Sequence, residues 1–285
     1  MRKVALVTDS TATIPAELSK GYPIFVVPLQ VVWGNDTFRD SVDIQPTEFY
    51  QRLQNAKIMP STSQPSPALF TEIYRRLLDE GYEILGVHIS SKLSGTLDSA
   101  IQARQGFPGA PIELVDSLST SMAMGFPILA AARAAAHGAT LPECKALVEN
   151  GCANSGLFFA VSTLEFLRRG GRIGGGAAFL GTALNLKPIL ELRDGRIEAV
   201  ERVRTMSKAI DRLLDVFCAK IGDRRPLQIT GLHANAPDEA RLLLERARQR
   251  FDVSEVSETV LAEVSPVLGA HTGPGTIGLA FTAGL

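Results

Sequence analysis

Cysteine is scarce in this chain. There are three, Cys144, Cys152 and Cys218, and no C-x-x-C pair. An odd, unpaired set argues against a disulfide framework and suits a reducing compartment, so a cytoplasmic protein is expected. Aromatic residues make up 6% of the sequence, and 29 basic residues offset 30 acidic ones to leave a net charge of -1. Basic residues come in short pairs such as Arg168-Arg169 and Arg224-Arg225, with no basic stripe interleaved with aromatics, so nucleic acid is not an expected partner. No apolar stretch reaches about 18 residues without a charge, so no transmembrane segment is expected. Met1-Arg2-Lys3 and the run Val4–Val7 look like the start of a signal peptide, but Asp9 interrupts the run too early, and a strand is the better reading.

Several chemical signatures are missing as well. There is no H-E-x-x-H, no Walker loop and no G-x-S-x-G nucleophile elbow. Histidines and cysteines are too scattered for a metal site. The glycine-rich segment Gly170–Gly176 lacks G-x-G-x-x-G and does not follow a strand of a βαβ unit, so it reads as a turn.

What the chain does contain is an alternation of short apolar runs with helical patterns. Strands are predicted at 2–8, 24–33, 83–89 and 112–116, and helices at 46–54, 66–80, 95–106 and 121–137. Such alternation implies βαβ units and a mostly parallel sheet covered on both faces. A helix over 140–156 leads into a second half. There, a strand at 158–161, a helix at 163–169, strands at 186–192 and 197–203, a helix at 206–221, a strand at 226–232, a helix at 237–250 and strands near 255–262 and 276–282 are expected. Asp194-Gly195 between two apolar runs is a strong hairpin signal and makes this second sheet mixed. The expected fold is α/β with two α/β domains, 1–156 and 157–285, and a crevice between them.

Hydroxyl-rich loops recur at the ends of these strands. Thr8–Thr13, Ser90–Thr96 and Asp116–Ser121 each follow an apolar run, and Pro60–Pro67 precedes a helix. Open α/β sheets bind ligands outside the carboxyl ends of their strands, and hydroxyls with free N–H groups suit an anion. Ser94 stands near a helix N-terminus with Gly95 allowing close backbone approach, although a plain cap accounts for it equally well. Thr62 and Ser63 lie in a loop stiffened by prolines, which is also consistent with an ordinary Pro/Ser connection. Gly and Pro around His271 place it on a loop, where it serves either as an imidazolium or as a neutral N–H donor, or is simply solvated. His88 reads as packed, and His137 and His233 as structural or exposed. Asp9, Asp43 and Asp116 read as turn and cap residues. Arg172 and Arg204 suit a phosphate or an acidic partner, or a solvated face.

Taken in order, these segments resemble the DegV family. The resemblance rests on Val7–Thr11, Thr62–Ser66, Ile89–Thr96, Val115–Ser117, Leu164–Ile173, Leu186–Leu190 and Gly269–Gly275, and it covers essentially the whole chain. Ala123 departs from it where the family often carries glycine. The resemblance implies a two-domain protein that binds a long-chain fatty acid such as palmitate between its domains. It implies that Thr62 and Ser94 hydrogen-bond the carboxylate with His271, Ser63 and Gly95 close by. It further implies an acyl-binding subunit that presents the lipid to an ATP-using fatty acid kinase, with Arg172 and Arg204 at the partner or the acyl-phosphate and no cofactor of its own. Phe126–Leu129 and Ala177–Leu180 are candidate tunnel walls, with ordinary core as the alternative. Two other functions compete: a hydrolase or phosphotransferase using Ser94 and His271, and a lipid-sensing regulatory module.

Overall fold

The computed structural model describes residues 3–179 and 186–285. In the first half the elements are β1 (Val4–Asp9), α1 (Ala16–Ser19), β2 (Ile24–Val27), β3 (Gln30–Trp33), β4 (Asp36–Arg39), α2 (Pro46–Gln54), β5 (Ser61–Ser63), α3 (Pro67–Asp79), β6 (Glu83–His88), α4 (Thr96–Arg104), β7 (Ile112–Asp116), α5 (Met122–Ala136) and α6 (Leu141–Ala153). The second half adds β8 (Ser155–Ala160), α7 (Glu165–Arg169), β9 (Lys187–Arg193), β10 (Arg196–Val203), α8 (Met206–Ile221), β11 (Leu227–His233), α9 (Pro237–Arg248), β12 (Val256–Glu263), α10 (Pro266–Thr272) and β13 (Ile277–Ala283).

The first sheet is wholly parallel, in the order β2-β1-β6-β7. Its apolar residues alternate between two faces, as strand geometry requires. Leu6, Leu85 and Val87 pack under α5 and α6, while Ala5, Val7 and Ile84 pack under α3 and α4. The connections leave β1 toward β2 on one side and toward β6 on the other. The carboxyl ends of β1 and β6 therefore form the switch point at which such sheets bind ligands.

Predicted strand 24–33 is in fact two strands. Pro28 lacks an N–H donor and ends β2, and β3 then joins an antiparallel sheet of order β4-β3-β5. The second half forms a six-stranded mixed sheet, β10-β9-β8-β13-β11-β12, in which β11 and β12 pair in parallel and the other neighbours pair antiparallel. Helices α8 and α9 cover one face through Leu213, Phe217, Ala240 and Leu243. The opposite face, carrying Leu157, Phe159, Leu190 and Leu232, packs against Val31, Phe49, Tyr50, Phe126 and Leu129 of the first half. From Met122 to Ala132 helix α5 is apolar all round, and this stretch is buried between the two large sheets. Among the described residues, no helix is long and apolar enough to cross a membrane.

The halves are latched where the β9–β10 hairpin reaches the loop after β6. Ser90 Oγ donates to the Gly195 carbonyl at 2.8 Å. Gly195 sits at φ +79°, and a Cβ there would lie 2.4 Å from Ser90 Oγ. Gly195→Ala should therefore destabilise the protein by about 1–3 kcal/mol through backbone strain and loss of this latch. Chemical denaturation would measure it, and an unchanged midpoint would mean that the latch carries no stability.

Candidate functional site

The inner face of the six-stranded sheet is not completely filled by the first half. A cavity of about 900 Å³, counted out to its mouth, remains between them. Its walls are largely apolar, with Leu29, Ile89, Leu157, Phe159, Leu232 and Val264 among them. Among the described residues, no Asp or Glu lines it, and Arg172 is its single cationic side chain.

Polar groups gather in one connected cluster. Thr62, on the short strand β5, hydrogen-bonds His271 Nε2 at 2.8 Å, joining residues 209 apart in sequence. Arg172 follows α7; its Nε donates to Leu93 O at 3.0 Å and its Nη1 to Gly170 O at 2.7 Å. Arg172 thereby ties the turn at Gly170 to the loop that carries Ser94. His271 packs on that same turn, where a Cβ at position 170 would lie 2.0 Å from His271 Nδ1. Only glycine lets the ring lie so close.

Burial, aided by the Arg172 cation, pushes His271 down to about 4. The ring is therefore neutral at neutral pH. A neutral ring carries a single N–H. His271 also departs from its expected loop. It lies in the last turn of α10, which starts with Pro266 at its first position and ends at Gly273, φ +77°. Proline at the start and glycine past the end are helix boundary signals, and here they outweigh the loop reading.

Ser94, Thr62 and Ser63 all line the cavity. Gly95, not Ser94, is the N-cap of α4. Ser94 precedes it, accepts from Thr96 N at 3.3 Å and shares a hydrogen bond with Thr96 Oγ1 at 2.9 Å. Gly95 is not a lining residue; its missing side chain makes room for Gln64, which is one. Arg204 is exposed on the bend after β10, away from the lining. Phe126–Leu129 prove to be core within α5, and Ala177–Phe179 do not line the cavity either. Leu180 lies outside the described residues.

The other expected roles hold in detail. Asp9 is fully buried and accepts from Thr11 N, Ile89 N and the buried His88 ring. Asp116 accepts from Ser91 N and Leu118 N, and Asp43 from Arg39 N. His137 is exposed and His233 buried. Thr120, Ser121 and Thr276 are lining hydroxyls that the sequence reading did not single out. Thr120 and Ser121 end a hydroxyl-rich strand-end loop, and that was the available signal. Ser121 sits at φ 54°, ψ -151°, a strained conformation for a residue with a side chain, and its Oγ meets Thr13 Oγ1 at 2.8 Å.

Among the described residues, Ser94 and His271 share no hydrogen bond. Ser94 Oγ is bonded to Thr96, and His271 Nδ1 is buried without a hydrogen-bond partner, so no acid orients the ring. Among the described residues, no group of three or more His, Cys, Asp or Glu side chains could hold a metal ion.

The neutral state of His271 is testable by NMR titration. A folded value below the usual 6.5 means that the neutral ring's contribution to stability is present above that pH and is lost as pH falls through about 4. The imidazole midpoint should lie near 4, and Arg172→Ala should raise it; a midpoint near 6.5 would contradict the buried, cation-flanked environment.

Comparison with known proteins agrees with this architecture. The family model described as "Uncharacterised protein, DegV family" matches residues 3–284. A DegV domain-containing protein of Streptomyces coelicolor is 43% identical over 279 residues, covering 98% of each chain. A DegV family protein from Thermus thermophilus, described by its fatty acid binding, has a TM-score of 0.90 at 39% identity over 99% of both chains. DegV of Bacillus subtilis, described as a fatty acid binding protein, has a TM-score of 0.88 at 30% identity over the full length of both. With its fold, its motifs and nearly its whole length matched, the chain belongs to the DegV family.

Proposed function

We propose that this protein binds a long-chain fatty acid, such as palmitate, with its carboxylate at Thr62, Ser94 and His271 and its chain along the apolar walls. The observation that carries this reading is a mostly apolar cavity whose polar cluster, among the described residues, holds hydroxyls, a neutral imidazole and one arginine, but no carboxylate. A carboxylate in a dry site needs such partners. Burying about 14 methylenes at ~0.8 kcal/mol each would contribute on the order of 11 kcal/mol, much of it offset by the costs of association and chain ordering. The fatty acid binding described for the Thermus thermophilus and Bacillus subtilis proteins supports the same ligand class.

In this reading Ser63 borders the head group and Gly95 places Gln64 beside it. The chain divides into domains 1–156 and 157–285, with the lipid between them. It acts in the cytoplasm as a carrier without a cofactor, presenting the carboxylate to an ATP-dependent kinase subunit. One carboxylate oxygen would attack the γ-phosphorus, ADP would leave, and an acyl-phosphate would form. Arg172, inside the cavity, would meet the new phosphate, and exposed Arg204 would meet the partner.

Native mass spectrometry of the purified protein, with extraction of the bound small molecule, tests the ligand class. A stoichiometric C16–C18 fatty acid is the expected result; a protein that stays empty after incubation with palmitate and oleate would refute the reading. Thr62→Ala and Ser94→Ala should each weaken acyl binding roughly tenfold or more, as expected for a lost hydrogen bond to a charged group. Unchanged affinity in both would remove the head-group assignment. With a kinase subunit and ATP, Arg172→Ala and Arg204→Ala should lower acyl-phosphate yield, and normal yields would dismiss their assigned roles.

A further inference from the structure

Loops supply most of the cavity's hydroxyls, and the groups that hold those loops lie behind the wall. Asp9 ends β1 and is fully buried, as are Thr11 and His88, and all three stand behind the lining rather than in it. Asp9 Oδ2 accepts from Ile89 N at 2.9 Å and lies 3.3 Å from His88 Nδ1. Its Oδ1 accepts from Thr11 N at 3.1 Å and from Thr11 Oγ1 at 2.5 Å. The His88 ring meets Phe70 edge to face, 5.1 Å between centroids, and among the described residues its Nε2 has no hydrogen-bond partner. The polar contact of the ring is therefore with Asp9.

Two branches run from this one carboxyl to the wall. Ile89 lines the cavity and opens the segment that carries Ser94. Leu93 N and Ser94 N both donate to Ser90 O, at 2.9 Å and 3.1 Å, so the Ser94 turn is built on the residue after Ile89. Thr11 begins the other branch. Its carbonyl accepts from Ser121 N at 2.8 Å and from Thr120 Oγ1 at 3.4 Å, and both residues line the cavity. Ser10 Oγ, in the same short turn, accepts from Leu29 N at 3.1 Å, and Leu29 is a wall residue. The strained Ser121 backbone, φ 54°, persists only where its surroundings over-determine it, and this branch does so. A carboxyl suits the junction because its two oxygens offer about four acceptor sites. An amide does not, since its NH2 would face Ile89 N–H or the Thr11 donors and leave them unpaired.

We infer that Asp9, with His88 beside it, is a positioning residue for the acyl head group. It touches no ligand. It fixes the Ser94 turn against the Thr120–Ser121 loop, and so sets where the Ser94 hydroxyl stands when the carboxylate arrives. Donors held in place beforehand cost less to order on binding. This role rests on the fatty acid reading and adds to it the residue that keeps the hydroxyl loops in register.

The test compares palmitate with hexadecanol, which has the same chain length and no carboxylate, by competition binding to the full-length protein. The unaltered protein should favour palmitate. In Asp9→Asn that preference should fall roughly tenfold or more, as expected when a hydrogen bond to a charged group is lost. Looser packing alone would weaken both ligands equally and leave their ratio unchanged. Because Asp9 is buried, a milder pair guards against a variant that does not fold. Thr11→Val removes the Oγ1 donor and nearly keeps the shape, so it should lower the same ratio several-fold. Thr11→Ser retains the hydroxyl and should restore it. A ratio unchanged in Asp9→Asn or, if that variant does not fold, in Thr11→Val would overturn the assignment, and so would a Thr11→Ser ratio no higher than that of Thr11→Val. An unaltered protein that binds no palmitate would instead overturn the fatty acid reading, and this role would fall with it.

Discussion

The arrangement of this protein depends on one constraint: the six-stranded sheet is apolar on both faces. Helices α8 and α9 cover one face, and the other has no helices of its own half to cover it fully. Leu157, Phe159, Leu190 and Leu232 are therefore removed from water only by docking onto the first half. That docking buries α5 from both sides and brings β5 against α10. The cavity is what remains where the two surfaces do not mesh. Its apolar walls are thus the unfilled part of the interface, and its polar cluster forms where strand-end loops of one half meet α10 and the α7 turn of the other.

The hydroxyl-rich loops divide into two kinds once packed. Ser90, Ser117 and Asp116 are occupied in holding loops to one another or to the β9–β10 hairpin. Thr62, Ser63, Ser94, Thr120 and Ser121 border the cavity. Arg172 acts both on structure and on charge. It ties two loops together through their carbonyls, and it adds its cation to the burial that holds His271 below its usual value. A neutral ring beside a single arginine suits a ligand bearing one negative charge, because the charge balance closes with one pair.

Much of the fold was legible because local physics and tertiary packing agree. Pro46 and the apolar spacing to Leu53 mark α2, and Thr205 caps α8. Asp194-Gly195 forms a hairpin with both residues at positive φ. The misreadings occurred where short elements are stabilised from elsewhere. Strand β5 has three residues flanked by prolines, and it is a strand only because β3 pairs with it. Helix α10 has seven residues and looked like a glycine-punctuated loop, yet Tyr50 and Asp40 hold its start through Val264 O and Val267 N. At Phe126–Leu129 periodicity could not separate a tunnel wall from core, since both are apolar.

By itself the sequence determined the types of the longer elements, the break between a parallel and a mixed sheet, and the family, because these follow from periodicity, turn chemistry and motifs within short windows. It also restricted the site to loops at strand ends. Tertiary structure alone decided which hydroxyls reach the cavity, that His271 is neutral, and that Gly95 acts through Gln64. Each of these depends on groups distant in sequence, Thr62 with His271 or Asp40 with Val267, and on the desolvation that arises only when the two halves close.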